Sequence, residues 1–192
     1  LEHFTFAIVH YREQQTLNSR DERIRRTLGK SYLEQGSLYY QSGIRNAATS
    51  SELSKWYFEQ AKISFSNAFE FNTPGADVNY GLALYKLGDY RAASAVFIGL
   101  IGKAPREPRN HIYCADVFRA WAQHTEMPKK LEHLIAAQRN LRSASDLDRT
   151  SPEIHFRIAI VCRSMVDIYQ PIASARHASR AEKQRFTGAV TE

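Results

Sequence analysis

Apolar positions along this 192-residue chain recur at helical rather than strand spacing. The clearest stretch is Gly81-Leu82-Ala83-Leu84-Tyr85-Lys86-Leu87-Gly88-Asp89-Tyr90, followed by Ala93 and Phe97 and closed by Pro105. It predicts a helix, a tight turn at Gly88 and a second helix folded back on the first. Gly81 and Ala93 are small enough to let two helices approach closely. Tyr85, Tyr90 and Phe97 are of a size to fill the space beside that contact.

The pattern repeats in looser form. Upstream, Leu28-Gly29-Lys30-Ser31-Tyr32 and then Gly36 mark a first helix. Its partner carries Ala61, Phe65 and Ala68 and ends at Asn72-Thr73-Pro74-Gly75. Downstream, Ala115 and Phe118 match Gly29 and Tyr32, while Ala137, Leu141 and Ala144 match Ala61, Phe65 and Ala68. A fourth first helix starts at Pro152, with Ala159 in the small position and Cys162 three residues on. Residues 1–17, with Phe4, Ile8 and Tyr11 at helical spacing, predict an additional N-terminal helix. Residues 172–186 predict a last, basic helix carrying Arg176, Arg180, Lys183 and Arg185, with Thr187 to Glu192 frayed. Ser19-Arg20-Asp21-Glu22 and Thr49-Ser50-Ser51-Glu52 read as capping boxes, and Pro128 suits a first helical position.

Aligning Gly29, Gly81, Ala115 and Ala159 gives one interval of 34 residues and two longer ones. Leu28, Gly29, Tyr32, Gly81, Gly88, Tyr90, Ala93, Phe97 and Pro105 together resemble the tetratricopeptide repeat, whose pattern is L-G-x2-Y…A-x3-F…P. Residues 74–107 match it well, and the units at roughly 22–73, 108–151 and 152–170 are stretched or degenerate. The resemblance implies an all-α, right-handed solenoid of antiparallel helix pairs, about 8–10 helices in all. In that reading residues 1–17 form an N-terminal helix, 18–170 about four repeats, and 171–192 a basic helix and tail. The extra residues around Tyr39 to Leu53 and His124 to Lys130 are read as lengthened helices with a longer turn.

Solenoids of this family line a concave surface with the first helix of each pair. Counted from the small residue, the positions opposite the packing face fall within a narrow arc of the helix. They include Arg23, Arg26 and Lys30; Asn79, Tyr85 and Lys86; Arg109, Tyr113, Asp116 and Arg119; and Glu153, Phe156, Arg157 and Arg163. Basic residues are concentrated there beyond a random placement of the chain's 26 Lys and Arg. The expectation is a basic groove studded with Tyr85, Tyr113 and Phe156, able to hold an extended or helical acidic segment of another protein. Some family members clamp a C-terminal carboxylate with Lys, Asn and Arg on these helices. Arg26, Lys30, Asn79 and Arg109 fall at the corresponding places, but only Asn79 matches in type and Tyr113 replaces the last basic residue, which argues against that clamp.

Composition narrows the alternatives. The net charge of +6 fits an acidic protein partner, and also an RNA-contacting subunit or a purely architectural subunit packed end-on through Phe4, Phe6 and Ile8. Gly29-Lys30-Ser31 ends like a phosphate-binding loop, but Ile24 stands where that loop needs glycine and the segment reads as helix. The seven histidines are scattered, and no hydrolase or metal-binding spacing appears. No catalytic residue, metal site or cofactor is therefore expected, and the chain is read as a scaffold or adaptor, not an enzyme. Cys114 and Cys162 read as thiols on apolar helix faces, as in a reducing intracellular compartment, the cytoplasm first. No stretch is apolar enough for a membrane span. A start at Leu1 rather than methionine is what a processed or excised piece would show.

Overall fold

The structure, a computed structural model, describes residues 2–18 and 21–189, with side chains for residues 3–18, 21–171, 173 and 174. It is all-helical, and no strand occurs among the described residues. The helices are α1 (Glu2–Leu17), α2 (Glu22–Asn46), α3 (Ser51–Glu70), α4 (Ala76–Lys86), α5 (Tyr90–Lys103), α6 (Pro108–Gln123), α7 (Lys129–Leu147) and α8 (Pro152–Ala189). Each packs chiefly on its neighbours in sequence, most extensively α2 on α3 and α6 on α7, and α2 also touches α4.

Local chemistry sets the helix ends. The Asp21 carboxylate caps α2 by accepting from the Arg23 and Ile24 amides at 2.9 and 3.5 Å. The capping box predicted from Ser19 therefore shifts to Asp21; Ser19 and Arg20 lie outside the described residues. At α3 the cap is Ser50, accepting from the Leu53 amide at 3.3 Å, one residue beyond the predicted Thr49. Asp89 caps α5, and Glu107 followed by Pro108 opens α6. Between α4 and α5 the chain turns at Gly88, whose φ of 79° is costly for any residue with a Cβ. The Asp89 amide reaches Leu84 O and the Gly88 amide reaches Tyr85 O, so orphan carbonyls of α4 are satisfied in a Schellman arrangement.

Packing explains the small residues. A Cβ on Gly29 would lie 2.8 Å from Phe71 Cβ, on Gly36 2.6 Å from the Phe65 ring, and on Gly43 2.7 Å from the Phe58 ring. Contacts ascending α2 descend α3, so these two helices run in opposite directions, interlocked by glycine hollows and phenylalanine knobs. Gly81 meets Phe97 in the same way across α4 and α5. Farther along, Ala115, Ala122, Leu134, Ala137, Leu141 and Val161 form one buried cluster that joins α6, α7 and α8.

Two expectations fail in α8. Ala159 is exposed and does not take the packing position of Gly29, Gly81 and Ala115. The buried face is instead Ile154 and Val161, with Ile158, Met165 and Ile168 partly covered. Five bulky apolar side chains at helical spacing remove more surface from water than one alanine does, so they decide the register. The separate basic helix predicted after residue 171 is also absent as such, because α8 continues through Pro171 to Ala189. The proline removes one backbone hydrogen bond without ending the helix. Side chains of Arg176, Arg180, Lys183 and Arg185 lie outside the described ones. No helix among the described residues is long and apolar enough to cross a membrane.

Candidate functional site

The predicted groove residues fall into two sets. Tyr85 on α4, Tyr113 and Arg119 on α6, and Arg157 on α8 come together, joined by Asp116 on α6 and by Tyr40 on α2. Burial pushes the Tyr40 hydroxyl up to about 12, and the neighbouring Tyr85 and Tyr113 push it the same way. Burial likewise raises Tyr85; Asp116 adds to the shift while Arg119 and Arg157 oppose it. Tyr85 and Tyr113 pack against the same buried cluster and both act on Tyr40, so phenols from three alternate helices neighbour one another. Among the described residues none of the three hydroxyls has a hydrogen-bond partner, and none is among the fully buried polar atoms left unpaired, which are Tyr32 Oη and His111 Nδ1. The phenols therefore offer solvent-reaching donors and acceptors on an apolar floor, with the Tyr113 ring packed 5.4 Å from Phe97.

Beside the phenols is an ionic network. Arg157 Nη1 donates to Asp116 Oδ1 at 2.6 Å, and Nη2 donates to Glu153 at 2.7 Å. Arg119 Nε stands 3.9 Å from Asp116. Burial raises the Asp116 carboxyl while Arg157 and Arg119 pull it down. For Arg157, burial alone lowers its affinity for the proton, but the Glu153 and Asp116 contacts outweigh that and hold it protonated. Arg157 is thus committed to two carboxylates of its own chain and works as a tie between α6 and α8. Arg119 keeps its outer nitrogens free of described partners.

The remaining predicted residues are dispersed. Arg23, Arg26 and Lys30 are exposed on the first turns of α2, and Arg26 is 3.6 Å from Glu22. Lys86 is exposed with Nζ 5.6 Å from the Tyr85 ring centre. Asn79 is half-buried on α4 and Arg109 is exposed at the start of α6. Arg163 is exposed and paired with Asp167 at 3.3 Å. Phe156 is 67% exposed and joins no other ring among the described residues. No described contact joins the side chains of Arg23, Lys30, Asn79, Arg109 or Phe156 to the tyrosine patch. The shifted register of α8 explains Phe156 and Arg163: with Val161 facing inward, both swing away from α6.

Sequence reasoning missed Tyr40 and the part played by Asp116. Tyr40 lies beyond the arc counted from Gly29, in the lengthened end of α2, and only the docking of α4 on α2 brings it to Tyr85. Asp116 was within the counted arc, but its role depends on an arginine 41 residues later.

The buried thiol of Cys114 is pushed up to about 12 by burial, which makes it inert at neutral pH. Among the described residues no cluster of three or more His, Cys, Asp or Glu could hold a metal. Neither a scan against protein-family models nor a search of curated proteins finds a match for this chain.

Proposed function

We propose that this chain is a protein-binding scaffold, a tetratricopeptide-like right-handed solenoid of antiparallel helix pairs, whose groove along α2, α4, α6 and the start of α8 holds a segment of an acidic partner. The observation that carries this reading is the patch of Tyr40, Tyr85 and Tyr113, three half-buried phenols with hydroxyls unpaired among the described residues, on alternate helices beside Arg119. Alternate helices contributing to one surface is the geometry of a concave groove in a pair-wise array. Phenols give large contact area at little conformational cost together with hydrogen bonds to a peptide backbone.

Electrostatics of the groove is more selective than the count of arginines suggests. Arg26, Arg157 and Arg163 each contact a carboxylate of the same chain, and Arg119 reaches one only through Nε at 3.9 Å, so positive charge open to a partner narrows to Arg23, Lys30, Lys86, Arg109 and the outer nitrogens of Arg119. This favours a partner with a few placed carboxylates over a polyanion such as RNA, whose affinity would draw on many unpaired cations. No enzymatic role is part of the reading.

The test is capture from the native source followed by crosslinking and mapping. The double variant Tyr85→Ala with Arg119→Glu is expected to lose the partner while keeping its helical circular-dichroism spectrum. Unchanged capture, or crosslinks confined to α3 and α5, sinks the groove reading.

A further inference from the structure

Next to the groove a cavity of about 230 Å³ opens where α6, α7 and α8 meet. Ala122, Leu134 and Ile168 supply its apolar part, and Arg119, Lys130 and Asp167 are the charged side chains at its wall. Arg119 comes from the tyrosine patch. Lys130 comes from α7, a second helix, and so lies outside any count of groove positions along first helices.

The two cations are poorly compensated. Lys130 has no ion-pair partner among the described residues. Arg119 has only the distant edge of Asp116, whose carboxylate is taken up by Arg157. Asp167 faces the same cavity, and its exposed i,i+4 pair with Arg163 at 3.3 Å is weak enough to leave it opposing the two cations in part. Lys130 also occupies the second position of α7, where the helix dipole disfavours a positive charge. Two cations converging on one hollow, one of them at an unfavourable helix end, cost energy that a bound anion would remove.

Resting on the groove reading above, we infer that this cavity is the subsite for one carboxylate side chain of the partner segment, held between the Arg119 guanidinium and the Lys130 ammonium. The charged wall sums to one positive charge, from Arg119 and Lys130 against Asp167, which suits a monoanion. A phosphate dianion would carry one charge more than this wall offsets. Gln123 and Ser164 on the same wall add polar groups beside the carboxylate, and the apolar part accepts its methylenes.

Two measurements test this on the whole chain. A capped fluorescent peptide alternating glutamate and leucine is titrated by anisotropy at low salt, with a glutamine–leucine peptide as reference. Lys130→Gln and Arg119→Gln are each expected to weaken the glutamate peptide about tenfold, the scale of one charged hydrogen bond. Lys55→Gln, the same loss of charge on α3, is expected to change it by less than about twofold. If Lys130→Gln matches Lys55→Gln, the subsite is wrong, and the groove reading still stands provided Tyr85→Ala weakens binding. If neither matters, both fall. Separately, acetate is expected to shift the Lys130 side-chain ammonium resonance saturably in wild type and in Tyr85→Ala, but not in Arg119→Gln. The same response to inorganic phosphate, tighter than to acetate, overturns the carboxylate assignment in favour of a phosphorylated ligand.

Discussion

The α2–α3 pair and the α6–α8 region solve one packing problem with different chemistry. In the first, Gly29, Gly36 and Gly43 form hollows that Phe71, Phe65 and Phe58 fill, so backbone and ring are in direct contact. In the second, alanines, leucines and a valine form the buried cluster, and Arg157 bound to Asp116 adds a polar tie between α6 and α8. Shape decides the former arrangement and leaves no room for change. Charge contributes to the latter, which makes it adjustable by salt, by pH and by a ligand that competes for the same arginines.

The largest expected effect tests the hollow. Gly36→Ala puts a methyl 2.6 Å from a Phe65 ring that is 1% exposed and has nowhere to go. Urea denaturation is expected to show a loss of about 1–3 kcal/mol despite the better helix propensity of alanine. A stabilised variant would mean the α2–α3 interlock is looser than described.

Asp116→Asn addresses the tie. It leaves Arg157 with Glu153 as its one charged partner and is expected to cost about 1–2 kcal/mol, less than a fully buried pair because both partners keep some exposure. The loss should shrink as salt rises, whereas that of Gly36→Ala should not. Equal salt dependence of the two variants would erase the distinction between the regions.

Gly99→Ala is a smaller change of opposite sign. Nothing lies within 4 Å of a Cβ at Gly99, and its φ is unexceptional, so the substitution is expected to raise stability by about 0.5–1 kcal/mol. Thermal melts of Gly36→Ala and Gly99→Ala side by side compare one chemical change in two surroundings.

The subtlest prediction concerns alkaline pH. Tyr40 keeps its proton to about 12 in the folded chain against 10.0 when unfolded, so folding holds the proton more tightly. Its contribution is complete below pH 10 and is lost as pH rises towards 12. Tyr40→Phe is expected to reduce the slope in that window while leaving the losses that belong to Cys114, Tyr85 and Tyr32. An unchanged slope would place Tyr40 outside the buried patch.

The difference between the two regions also governs how legible they were. Gly81, Gly88, Asp89 and Phe97 lie within one short unit, where turn chemistry and periodicity leave a single solution, and the structure follows it. Gly29 and Gly36 were recognised as small positions, but their phenylalanine partners, Phe71 and Phe65, lie 42 and 29 residues away and needed the fold. At α8 the reading by small residues failed, because Ala159 carries too little apolar surface to outweigh Ile154, Ile158 and Val161. Tyr85, Tyr113 and Arg119 were placed on one face by counting helical angle from the small residues of the repeat resemblance, whereas Tyr40 and Lys130 lie outside that count, on the far end of α2 and on α7.

The helical class, the positions of most helix ends and the faces that α2, α4 and α6 bury were legible in the residues alone, since these depend on contacts within a few residues. Only the tertiary structure decided the register of α8, the commitment of Arg157 to Asp116 and Glu153, and the convergence of Arg119 with Lys130. Those depend on distances between helices remote in the chain. A guanidinium counted as free charge along one helix becomes a structural tie once a neighbouring helix brings a carboxylate within 2.6 Å.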